Sequence, residues 1–138
     1  MGRYNEAAHW FRLALKKDPG LADAHIYLGA GMLQQRRFDA AYHHFARASQ
    51  IRPNNPDAHF NMGVAMAAQQ RLDEAIAHYN RALELRPGYP RAHMNLGMAF
   101  YAKGDHAAAL EHIRLAERAG MQAPPGLMER LTAPTAER

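Results

Sequence analysis

Apolar side chains return every three or four residues along most of the chain, the spacing that gives a helix one apolar face. Between residues 22 and 35 the recurring set is Ile26, Leu28, Met32 and Leu33. Between residues 39 and 51 it is Ala41, Phe45, Ala48 and Ile51. Two short helices separated by so few residues must double back on each other, so the pattern predicts an antiparallel helical hairpin. Starts and stops agree with it. Asp39 and Asp73 put a carboxylate at the positive end of a helix dipole, and Pro56 and Pro90 fall in a first turn, where no amide donor is required.

The hairpin then repeats. Ala24-His25-Ile26-Tyr27-Leu28-Gly29, Ala58-His59-Phe60-Asn61-Met62-Gly63 and Ala92-His93-Met94-Asn95-Leu96-Gly97 follow one another at a spacing of 34 residues. Ala41, Ala75 and Ala109 keep the same phase, as do Phe45, Tyr79 and Ile113, then Ala48, Ala82 and Ala116, and finally Pro53 and Pro87. The glycines and alanines leave little side chain between facing helices, so backbones can approach at the lower end of the usual separation. A period of this length is the signature of a stacked array rather than of a single closed core.

These residues resemble the tetratricopeptide repeat family, whose 34-residue unit carries W-x₂-L-G-x₂-Y, then A-x₃-F, then P. The second unit reads His59-x₂-Met62-Gly63-x₂-Met66, Ala75-x₃-Tyr79, Ala82 and Pro87. His25, His59 and His93 stand where the family often has Trp, and Met32 and Met66 where it often has Tyr, which keeps a sizeable, partly apolar side chain at each place. The resemblance implies an all-α fold, an α-solenoid of antiparallel helix pairs with about three and a half repeats. Residues 1–21 are then the second helix of an incomplete N-terminal repeat, 22–55, 56–89 and 90–123 are three whole repeats, and 124–138 form a short capping turn and frayed tail. Leu127 and Leu131 lie on one side of that turn. With no first helix before it, the segment around Tyr4, Trp10 and Phe11 is expected to keep an uncovered aromatic edge, either because the array is longer or because a partner or a second copy docks there.

Composition narrows the chemistry. The chain has no cysteine, which removes disulfides, thiolate metal sites and cysteine nucleophiles. Its 17 basic and 13 acidic residues give a net charge of +4 without single-sign blocks. Arg47 with Arg81 and Arg52 with Arg86 repeat in register, but acidic residues are interspersed, so they read as a solvated outer face and argue against nucleic acid. No apolar run approaches the roughly 20 residues of a membrane helix, so a soluble chain is expected, cytoplasmic or periplasmic. Serine and threonine are scarce and no phosphate-binding loop is present, so neither a hydrolytic triad nor a nucleotide site has a starting point, and no enzyme and no cofactor are expected. The nine histidines fall mostly into ladders, His25, His59, His93 and His44, His78, His112. Rungs one hairpin apart are too distant to share a zinc ion, so no metal site is expected. Abundant alanine, and arginine in place of lysine, look like a bacterial chain from a GC-rich genome.

The informative surface is the one the resemblance places inside the array. In the family, the second, fifth, sixth, ninth and twelfth positions of each unit face a concave groove. Here these are Asp23, Ile26, Tyr27, Ala30 and Leu33, then Asp57, Phe60, Asn61, Val64 and Ala67, then Arg91, Met94, Asn95, Met98 and Tyr101. The groove is expected to be largely apolar and to lack the basic residues with which some members grip a terminal carboxylate. Asn61 and Asn95 resemble the family's asparagine ladder, whose amides both donate to and accept from an extended peptide, and read equally as residues that order their own hairpins. Phe60, Met94 and Met98 read either as groove residues or as packing between hairpins. The expectation is a non-catalytic scaffold that binds a peptide or helix of a partner protein in assembling a larger complex. The alternatives are self-assembly through Tyr4, Trp10 and Phe11, giving a homo-oligomer, or a repeat segment of a larger enzyme.

Overall fold

The computed structural model describes residues 2–134, apart from the side chain of Tyr4. These residues form eight helices and no strand: α1 (Gly2–Lys17), α2 (Ala22–Gln34), α3 (Phe38–Ile51), α4 (Pro56–Ala68), α5 (Leu72–Leu85), α6 (Pro90–Lys103), α7 (His106–Arg118) and α8 (Leu127–Thr132). Each helix packs on the next in sequence, and α4 also touches α2 and α6, whereas α3, α5 and α7 do not touch one another. The first helices of the hairpins therefore make a closely spaced inner layer and the second helices a wider outer one, which is the architecture of an α-solenoid.

Local chemistry sets each boundary. Pro56 and Pro90 open α4 and α6, the Asn55 side chain accepts from the Asp57 amide at 3.0 Å, and Asp105 caps α7 by accepting from the Ala108 amide at 3.1 Å. Asp39 and Asp73 lie in the first turns of α3 and α5. The three turns inside the hairpins share a left-handed residue in the same register: Arg36 (φ 59°), Gln70 (φ 60°) and Gly104 (φ 87°). Only the last is the residue type that adopts this conformation without a steric cost.

The hairpins close around one contact copied three times. Phe45, Tyr79 and Ile113 are fully buried on the outer helices, each beneath the glycine of its own first helix. A Cβ at Gly29 would lie 2.5 Å from the Phe45 ring, at Gly63 2.5 Å from the Tyr79 ring, and at Gly97 2.6 Å from Ile113. Ala41, Ala75 and Ala109, with Ala48, Ala82 and Ala116, are buried beside them. Beyond α7, Gly126 turns the chain in a left-handed conformation and α8 lays Leu127 and Leu131 against Ile113 and Met94. Thr132 is the last residue of that helix, its hydroxyl donating to the Met128 carbonyl at 2.8 Å. Of the tail expected to fray, residues 135–138 lie outside the described residues.

Candidate partner-binding groove

The inner layer presents a surface whose two halves differ. Toward the C-terminal ends of α4 and α6, Val64, Ala67, Leu72, Met98 and Ala102 line a trough of about 380 Å³ with Asn95 and the Tyr79 hydroxyl at its floor. Met98 is 44% exposed there, beside Val64 and Asn95 in the lining of the trough. Asn95 Nδ2 donates to the Tyr79 oxygen at 3.5 Å, and burial pushes the Tyr79 phenol up to about 12, the Asn95 hydrogen bond opposing it, so it stays a neutral hydroxyl at physiological pH. Asn95 lines the trough, and among the described residues no other side-chain hydrogen bond engages its amide. Asn61, one repeat earlier, is half-buried at the same register.

Toward the N-terminal ends of the same helices the surface is polar. Asp23, Ile26, Tyr27, Asn55, Asp57, Asn61, Tyr89 and Arg91 line a second trough of about 430 Å³ that crosses all three inner helices. The largely apolar groove expected from the sequence is thus confined to one half. The two carboxylates are already engaged. Arg52 meets Asp23 at 3.5 Å and Arg86 meets Asp57 at 3.5 Å, while the Tyr89 hydroxyl donates to Asp57 at 2.6 Å. Burial, then the Asp57 carboxylate, pushes the Tyr89 phenol far up, so that it keeps its proton and remains a donor. Arg52 and Arg86, read from the sequence as part of a solvated outer face, instead reach the rim of the groove. In the third repeat Arg91 occupies the register of the two aspartates and lies over the Phe60 ring, 4.7 Å from its centre.

Two groove residues are corrected by the structure. Phe60 is 1% exposed, held between the Tyr79 and Tyr89 rings at 5.7 and 5.1 Å and roofed by Arg91. Met94 is 5% exposed, enclosed by Ile113, Leu127 and Leu131. Both join one hairpin to its surroundings and offer nothing to a ligand. Ile26, their counterpart in the first repeat, is half-buried against the same kind of seam. The remaining inner residues stay accessible. Tyr27 is 61% exposed, Asp23 and Arg91 are exposed, and Ala30, Leu33, Asp57, Val64 and Tyr101 are half-buried. Leu72, Tyr89 and Ala102 were missed. The Asp23–Arg52 and Asp57–Arg86 pairs carried a usable signal, since both partners repeat at the same 34-residue spacing.

At the N-terminal edge, Trp10 is 68% exposed with Leu13 exposed on the same helix. Phe11, expected on that open edge, is instead half-buried, stacked on Tyr27 with ring centres 4.8 Å apart and planes 6° from parallel. The Tyr4 side chain lies outside the described residues. Among the described residues, no three metal-ligating side chains converge, and no helix is long and apolar enough to cross a membrane.

Comparison with known proteins follows the same periodicity. Family models described as tetratricopeptide repeat match residues 32–81 and 90–119, and one described as TPR repeat matches residues 67–104. No curated protein matches. Among solved structures, one titled MamA 41-end from Desulfovibrio magneticus RS-1 superposes with a TM-score of 0.76 at 26% identity, over 88% of this chain and 70% of that one. A second, titled MamA MSR-1 C2, gives a TM-score of 0.70 at 26% identity, over 94% of this chain and 70% of that one. A third, titled Crystal structure of MamA, gives a TM-score of 0.77 at 24% identity over 83% of this chain and 67% of that one, a likeness of fold.

Proposed function

Because the chain belongs to the tetratricopeptide repeat family, we propose that it is a protein-interaction scaffold that holds a peptide or helix of a partner in the trough between α4 and α6. Arrays of this family are typically non-catalytic, and protein partners are what they carry. The observation that carries the reading is Met98, an exposed, flexible apolar side chain beside Val64 and the unspent hydrogen-bonding capacity of Asn95. A flexible thioether adapts to an apolar side chain of a ligand, and the amide pairs with the ligand backbone. The polar half with Arg91, Asp23 and Asp57 then sets which charges can follow that anchor. Holding a partner in this way suits assembly of a larger complex.

A displayed library of short peptides, selected on the wild-type chain, tests this. Met98→Glu places a charge in the trough at an exposed position, so folding should be kept while the selected peptides lose at least tenfold in affinity. Peptides retained equally by Met98→Glu and by Val64→Glu would overturn the groove. A second reading rests on Trp10, whose exposure favours self-association through α1. Sedimentation velocity over a wide concentration range decides it: Trp10→Glu should convert an oligomer to a monomer, and a wild type that stays monomeric ends the idea.

A further inference from the structure

The two histidine ladders meet inside the hairpins. His25 on α2 and His44 on α3 bring their Nδ1 atoms to 3.1 Å, and His93 on α6 and His112 on α7 bring theirs to 3.2 Å. In both pairs the ring centres are 5.4 Å apart, close to the greatest distance the nitrogen separation and the two ring radii allow, so the nitrogens face each other head-on. That is the geometry of a hydrogen bond, and its direction can be read. His25 Nε2 lies 3.3 Å from the Pro19 carbonyl and His93 Nε2 3.1 Å from the Pro87 carbonyl. A carbonyl only accepts, so the neutral His25 and His93 carry their proton on Nε2 and present a bare Nδ1. His44 and His112 must then donate from Nδ1. The neutral pair thus holds one proton between the facing nitrogens. A second sets N–H against N–H and breaks the bond.

We propose that these histidine pairs are proton-released latches, which tie the groove helices α2 and α6 to α3 and α7 at neutral pH and let go in mild acid. The pairs are half-buried and the groups around them work the same way. Burial, then His25, Arg12 on α1, His43 and Arg37 hold His44 below the ordinary histidine value. Burial, then His93, lower His112, whose other charged neighbour, Glu111, pulls the opposite way, while the Phe100 ring stacks on its face. A group that binds protons less readily folded than unfolded contributes its full stability above the unfolded value, near 6.5, and loses it as pH falls below that toward the folded value.

The middle hairpin is the internal control. His59 and His78 occupy the same two register positions, yet His59 Nδ1 is buried with no hydrogen-bond partner among the described residues, and His78 Nε2 is 3.4 Å from the Tyr42 hydroxyl. The positions equivalent to Tyr42 beside the other two pairs are Ala8 and Ile76, which have no hydroxyl to compete. Tyr42 thus draws His78 away, and the latch is built only in the first and third hairpins.

Thermal melts of the whole chain between pH 7.5 and 5.5 test the latch, comparing wild type with His44→Gln/His112→Gln, whose amides can still donate but do not titrate. The wild type should lose several degrees over this range and the double variant less than half as much. A wild type without the drop, or a variant that drops as far, overturns the proposal. Should the variant fail to fold, nitrogen NMR of the wild-type imidazoles decides instead. His44 and His112 should carry their proton on Nδ1 and titrate below 6.5, and a proton on Nε2 or titration at or above 6.5 contradicts the latch.

Discussion

Helices α1 and α5 carry the same register and meet opposite fates. In α5, Ala75, Tyr79 and Ala82 are all but sealed, because α4 lies on one side and α6 on the other. In α1 the equivalent Ala7 is exposed and Phe11 and Ala14 are half-buried, because among the described residues only α2 packs on it. A repeat hairpin cannot bury its apolar face alone, and neighbours complete it. The pattern along the sequence is therefore a statement about which faces could be covered. Whether they are depends on what stacks beside them.

Substitutions that differ only in which copy they strike sharpen this contrast. Tyr79→Ala should cost about 3–5 kcal/mol in chemical denaturation, as expected for a fully buried aromatic, whereas Phe11→Ala should cost less than half of that. Ala75→Leu should overpack the second hairpin by about 1–3 kcal/mol, while Ala7→Leu should stay within about 0.5 kcal/mol, since Ala7 is exposed and a larger side chain there has room to turn toward solvent. Equal costs in either comparison would mean that α1 is covered in solution, by a second copy or a partner. Native-state hydrogen exchange should rank the amides of α1 well below those of α5 in protection.

The smallest effects concern the turns and the middle hairpin. Gln70→Gly should stabilise by up to about 1 kcal/mol by relieving the left-handed backbone that Gly104 already occupies freely, and Gly104→Ala should cost a similar amount. Tyr42→Phe removes the hydroxyl that competes for His78. The His78 ring should then turn toward His59, seen as a change of its protonated nitrogen in an imidazole NMR spectrum. An unchanged tautomer would show that Tyr42 does not divert it.

The fold was legible because periodicity, small residues and helix starts all repeat together. Gly63 and Ala75 announced a close approach, and the structure seats the Tyr79 ring under Gly63. The groove was legible only in part. Phe60 and Met94 sit at a family position taken to face inward, but here a bulky side chain at that place fills the seam toward the next element, the Tyr89 ring for Phe60 and α8 for Met94. The periodicity marks helix faces and says less about how deep a position lies once its neighbours dock. Pairing between the histidine ladders was likewise hidden, because the partners are 19 residues apart, a separation that depends on how the two helices of a hairpin meet.

The central claim is that the trough between α4 and α6 holds the partner. Its most direct test is a chemical-shift footprint of the tightest library-selected peptide on the wild-type chain. The account predicts that the Met98 and Val64 methyls and the Asn95 side-chain amide shift most while the Trp10 indole stays still. Shifts centred on Trp10 and Leu13, with the trough unmoved, would contradict it.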